Sequence, residues 1–182
     1  MGQGRLEVCD SGDRPFIREF SANPPLNANL EIVDATGHVL GDEPLERPLA
    51  KIEKTSLPPD KQAFFVTVDY SIGMGSYAGL TTMFVRVANG HLEWVTATNP
   101  STGKREAIHL PKTLKTDWRF SDAGRSEILA VYCRPDFDNE ANFTIRYVRY
   151  QRDDRKGWLV YERAEKGIWE SDEPFPPRTK FP

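Results

Sequence analysis

The chain of 182 residues is long enough to bury one sizeable core without a disulfide scaffold. Its 24 Lys and Arg against 27 Asp and Glu leave a formal net charge of -3, which offers no global field for a polyanion and argues against nucleic acid as a partner. Apolar runs such as AFFV and ILAV stop far short of the ~20 residues that a membrane helix needs, so no membrane span is expected.

The first residues, MGQGRLEVCDSGDRPF, lack the charged-then-apolar pattern of a leader, although a chain whose leader had been removed would begin the same way. Leu6 precedes Cys9 by three residues, as at bacterial lipoprotein cleavage sites, but Glu7 and Val8 stand where a small residue is wanted. MGQGRL resembles a myristoylation start with Leu6 in place of Ser or Thr. Residues 1–60 are punctuated by proline (DRPF, NPPL, DEPLERPL, SLPPD) and read as an irregular segment packed on the rest of the chain. Within it, NLEIVDATGHVL fits a hairpin turning at DATG. At most one short helix is expected, over LERPLAKIEK, where Leu45, Leu49 and Ile52 fall at helical spacing around Pro48.

From Lys61 to about residue 165 the pattern is that of strands. QAFFVTVDYSI is β-branched and aromatic, and TTMFVRVANGHLEWVTAT carries Asn89-Gly90 between two apolar segments, the strongest short hairpin signal in the chain. REAIHL, TDWRF and SEILAVYC follow across the turns NPSTGK and SDAGR, and Ile128 to Val131 is apolar on both faces, as in a central strand. FTIRYVRYQ alternates Phe143, Ile145 and Tyr147 with Thr144 and Arg146, and RDDRKG turns it into WLVYERAE. Short turns between successive strands predict an antiparallel meander, hence a mainly β single domain forming a curled sheet or β-barrel, with a two-layer β-sandwich as the alternative. Residues 166–182, rich in proline, predict an extended surface tail with Phe175 and Phe181 as pins.

The glycine stretch SIGMGSYAG does not carry phosphate-binding chemistry. No Lys and no helix pattern follow Gly73, Gly75 and Gly79, Ala78 interrupts a G-x-G-x-x-G fingerprint, and Ser76 is not flanked as a nucleophile elbow requires. The favoured reading is a bend between strands, with a lip over a pocket as the functional alternative. His38, His91 and His109 are far apart, so none forms a short metal-binding pair, and His109 lies on the face opposite Ile108 and Leu110. Asp136, Asp138 and Glu140 have the spacing of a calcium loop, yet Ala141 and Tyr147 occupy the positions that need Gly and Glu. Arg146, Arg149 and Arg152 interleave Tyr147 and Tyr150 but run into Asp153 and Asp154, the pattern of a wet strand face. Asn142-Phe143-Thr144 is a formal glycosylation acceptor.

The ligand-binding candidates are therefore Gly73, Gly75, Tyr77, Trp94, Trp118, Tyr132 and Tyr147, aromatic walls beside a glycine lip. Cys9 and Cys133 are a candidate disulfide or two separate thiols. No catalytic residue, metal or cofactor is expected. The sequence favours a non-catalytic, exported module, periplasmic or secreted with its leader removed, that binds a small apolar molecule or a protein partner. The alternatives are a hydrolase with an acid/base site, led by His109, inside the sheet, and an intracellular interaction or structural protein with reduced thiols.

Overall fold

The structure is a computed structural model and describes residues 16–20, 29–45, 48–55, 63–71, 75–88, 91–122, 124–138 and 141–182. The expected mainly β, largely antiparallel fold is what forms. The strands are β1 (Phe16–Phe20), β2 (Asn29–Val33), β3 (Val39–Pro44), β4 (Leu49–Lys54), β5 (Ala63–Asp69), β6 (Leu80–Ala88) and β7 (His91–Trp94). They continue with β8 (Thr96–Thr98), β9 (Arg105–Ala107), β10 (His109–Lys112), β11 (Thr116–Ser121), β12 (Gly124–Pro135), β13 (Phe143–Asp153) and β14 (Gly157–Lys166). The described residues contain no α-helix, only a 3-10 turn at Arg178–Lys180, and no helix among them is long and apolar enough to cross a membrane. None of their sheets closes on itself, so the barrel alternative is not the form adopted.

The chain divides into two compact units, the first Met1–Tyr70 with Thr81–Val95 and the second Ser71–Leu80 with Thr96–Pro182. In the first, β1, β2 and β3 form one sheet, and β4, β5 and β6 lie side by side with β7 paired to β6. The DATG hairpin forms between β2 and β3. Asp34 closes it by accepting from the Thr36 and His38 amides, at 2.9 and 3.0 Å. Residues 89–90 lie outside the described residues, but the strands they join pair antiparallel from Ala88 opposite His91, as their sequence suggests. Leu30, Ile32, Ile52, Phe64, Val66, Val68, Val85 and Val87 make the core of this unit.

Much of the first sixty residues lies outside the described residues, and what is described there is mostly strand. β1 to β4 form within that segment, and over LERPLAKIEK, where at most one short helix is expected, the described residues form β4. The reason is visible in burial: Ile52 is buried opposite Val66 while its neighbours Lys51 and Glu53 are exposed, a period of two rather than 3.6. Pro48, which would have cost a helix an amide, instead offers its carbonyl to Asp69 N at 2.9 Å.

The second unit is built on a six-stranded sheet in the order β11-β12-β13-β14-β8-β9. From β11 to β14 it is the antiparallel meander read from the short turns, and β12, buried from Ile128 to Cys133, is the central strand expected. One pairing is not meander-like: β8 joins β14 in parallel, Ala97 opposite Trp158. The register sets two faces. Leu129, Val131, Cys133, Ile145 and Tyr147 share one with Trp169 and Phe181 of the tail, while Ile128, Ala130, Tyr132, Val148, Tyr150 and Val160 alternate onto the other. The tail lies extended over the first face with Phe181 buried and Phe175 stacked on it, in agreement with the role given to both.

Candidate functional site

The described sequence candidates are divided between the two units. Trp94 is exposed on β7 in the first unit, whereas Gly75, Tyr77, Trp118, Tyr132, Tyr147 and Cys133 belong to the second. Tyr132 stands opposite Arg146 and Tyr147 opposite Val131, so the two tyrosines project from opposite faces of the sheet and cannot wall one pocket. Trp118, opposite Ala130, shares the face of Tyr132 and packs edge-on against Phe120 at 5.9 Å. Tyr132 donates to the His109 carbonyl at 2.9 Å, and burial pushes its hydroxyl up to about 12. Tyr147 donates to Glu165 Oε1 at 2.8 Å and is likewise raised to about 12, first by burial and then by that carboxylate. Gly73 and Cys9 lie outside the described residues, and Cys133 carries a buried, free thiol.

The other motifs resolve into structural roles. His109, the first residue of β10, is exposed between fully buried Ile108 and Leu110, so its side chain lies on the exposed face rather than in the interior; partial desolvation of its ring and the nearby Arg134 charge lower its pKa. Asp136 is held by Lys166 and by the Thr144 hydroxyl, which pull its carboxylate below the usual range. Arg149 lies 4.4 Å over the Tyr161 ring, and Arg146 pairs with Glu162, so these guanidinium groups are engaged within the sheet.

The glycine stretch answers to packing. A Cβ on Gly79 would overlap the Lys112 carbonyl oxygen and lie 3.2 Å from Thr113 Cα, and its φ of +155° is strained for any other residue. The lip therefore sits directly on the β10–β11 turn. There Thr113 N donates to Thr116 O at 2.9 Å, and the Lys115 amide donates to Ser76 O at 3.2 Å. Tyr77 completes the seam by donating its hydroxyl to the Cys133 carbonyl at 3.2 Å. Its ring stays half exposed while burial of the hydroxyl end raises its pKa.

This seam is one margin of a larger arrangement at the end of the sheet where β11 and β13 begin and β12 and β14 finish. Lys115 lies buried at its centre, its ammonium paired with Glu170 and 5.0 Å over the Phe143 ring. The hydrogen bond to Glu170 raises the Lys115 pKa, so the amine stays protonated and serves as a fixed cation, not as a nucleophile. Three backbone bonds tie the surrounding loops together: Cys133 N to Lys115 O at 2.8 Å, Ser171 N to Leu114 O at 2.8 Å and Gly167 N to Phe143 O at 3.0 Å. On this frame Tyr77, Leu114 and Ile168 are 46%, 40% and 58% exposed, and Phe137 is wholly exposed on the β12–β13 loop.

Of the residues at this end of the sheet the sequence singles out Tyr77, but not Leu114, Lys115, Phe137, Ile168 or Glu170. A faint signal existed: Leu114 in KTLKTD, Phe137 in DFDN and Ile168 in KGIWE are each an apolar residue beside or within a polar turn. The arrangement offers exposed apolar side chains on loops held in place around the Lys115–Glu170 pair. Compared with known protein families, curated proteins and solved structures, the chain finds no match in any of the three.

Proposed function

We propose that this chain is a non-catalytic protein-binding module that engages its partner through the loop end of the six-stranded sheet. The observation that carries this reading is that Tyr77, Leu114, Phe137 and Ile168, all exposed, stand on loops at the one end of the sheet where buried Lys115 pairs with Glu170. A single exposed apolar residue is ordinary, but four on loops pinned to one another resemble the aromatic and aliphatic anchors of an interface core. Phe137 in particular gains nothing from folding, because its side chain remains in water. A protein partner suits it better than a small apolar molecule, which would find no wall around that ring among the described residues.

The test is site-specific photocrosslinking with benzoylphenylalanine in the full chain, expressed in its source cells. A crosslinker at Phe137 should yield a discrete protein adduct. One at Arg155, on the exposed β13–β14 turn at the other end of the sheet, should not. Equal adducts from both positions, or none from Phe137, would remove the proposal.

A further inference from the structure

The C-terminal strap, residues 174–182, is attached to the sheet in an unusual way. Its backbone hydrogen bonds are local, Lys180 N to Pro177 O at 2.9 Å and Phe181 N to Arg178 O at 3.1 Å. Pro174, Pro176, Pro177 and Pro182 have no amide to donate. Apart from the Pro174 carbonyl, which accepts from Trp169 Nε1 at 3.4 Å, the strap's bonds to the described residues outside it are made by side chains. Phe181 is buried edge-on against Tyr147 at 5.5 Å and is stacked by Phe175 at 5.8 Å. Arg178 sends Nε to Glu127 Oε2 at 3.1 Å and Nη2 to Oε1 at 2.9 Å, and its Nη1 reaches Phe181 O at 3.2 Å. Lys180 donates to Glu165 Oε1 at 2.9 Å, and Arg119 lies 4.4 Å over the Phe175 ring.

These contacts describe a peptide in a receptor. The slot supplies an aromatic floor, Tyr147, beside the aliphatic pair Leu129 and Val131, and two carboxylates at fixed positions; Glu127 is buried and already shaped to accept a guanidinium in bidentate fashion. The ligand supplies Arg, Lys and Phe in the order Arg-x-Lys-Phe. Nothing in the contacts depends on which chain delivers them, and no sheet ladder need break for the strap to leave. We infer that the slot formed by Glu127, Leu129, Val131, Tyr147 and Glu165 is a peptide-binding site for an Arg-x-Lys-Phe segment, and that the strap of a second copy of this chain is the occupant it takes in trans. In the intact monomer the chain's own strap competes at a high effective concentration, so exchange needs that strap weakened or the chain concentrated.

The experiment uses the full chain and a fluorescent synthetic peptide of residues 173–182, read by anisotropy. Wild type should bind the peptide weakly. The Arg178→Ala/Phe181→Ala chain, its own strap loosened and its strand circular dichroism retained, should bind it at least ten-fold more tightly. Adding Glu127→Gln to that chain should lose at least ten-fold. Equal affinity in wild type and the loosened chain, or equal affinity for a scrambled peptide of the same composition, overturns the inference. Should the double variant lose its strand signal, Arg178→Lys decides the matter: this single change keeps the charge and the Phe181 anchor but not the bidentate pair. Binding tighter than wild type supports the slot, and unchanged binding overturns it.

Discussion

Arg178 grips Glu127 across 51 residues of sequence, with Nε 3.1 Å from Oε2 and Nη2 2.9 Å from Oε1. Glu127 is buried and also faces Arg149 at 3.4 Å, while the Arg178 side chain is 43% exposed. The two ends of the pair should therefore differ in worth. Glu127→Ala takes a carboxylate from both Arg178 and partly buried Arg149, which keeps Gln151 Oε1 at 2.8 Å, and should cost about 2 kcal/mol, whereas Arg178→Ala, screened by solvent, should cost about 1 kcal/mol. Urea unfolding of the two variants measures the difference, and equal losses would mean that Arg149 takes no strength from Glu127.

Gly79 and Gly75 separate crowding from backbone strain. Both have positive φ, but a Cβ at Gly75 meets open space while one at Gly79 meets the backbone of Lys112 and Thr113. Gly79→Ala should cost about 3 kcal/mol and Gly75→Ala about 1 kcal/mol. Thermal unfolding of both checks the ranking, and a reversal would mean that the lip is not seated on the β10–β11 turn.

How much of this was legible in the sequence depended on how local each determinant is. The Asp34 turn, the alternation of β13 and the two-sided burial of β12 are set by residues within one or two strands, and all could be read from periodicity and turn chemistry. The parallel β8–β14 pairing joins Ala97 to Trp158 and has no local signature. β4 was obscured because Leu45, Leu49 and Ile52 satisfy a helical period until the pairing with β5 decides between the two. The rim around Lys115 was hidden for the same reason: its members come from four turns, and each alone reads as a solvated loop.

Acid should loosen the strap before it unfolds the sheet. Burial raises the Glu127 pKa, but the hydrogen bonds from Arg178, Ser121 and Arg149 outweigh it and leave it below its ordinary 4.5. The bonds from Lys180 and then Tyr147 depress Glu165 in the same direction. A depressed carboxylate contributes stability that is fully present above its unfolded value and is lost as pH falls through the folded one. Stability should thus hold constant through neutral pH and fall below about 4.5. Trp169 packs in the strap-covered cluster, so its fluorescence should change before the strand circular dichroism does. Simultaneous loss of both signals would deny the strap independent release.

Alkali tests the opposite sign. Burial raises Tyr132 and Tyr147 to about 12, and Tyr150 is pushed up as well, first by its burial. Because the folded state holds these protons more tightly, their contribution is fully present below the ordinary value of 10.0 and is lost as pH climbs from there toward 12. Tyrosinate absorbance should show a late phase that coincides with loss of strand circular dichroism. A single phase at the ordinary value, with the strands intact, would contradict the burial of these hydroxyls.

If the loop end of the six-stranded sheet docks a protein, removing its apolar character while keeping its frame must abolish the docking. In a chain carrying the photocrosslinker at exposed Asp138, beside Phe137, Leu114→Ser, Phe137→Ser and Ile168→Ser are combined and the adduct yield in source cells is compared with that of the unsubstituted rim. Because all three side chains are exposed, each replacement should change stability by no more than about 0.5 kcal/mol. The account predicts an unchanged urea midpoint and at least a ten-fold loss of adduct. An undiminished adduct on an equally stable chain would contradict it.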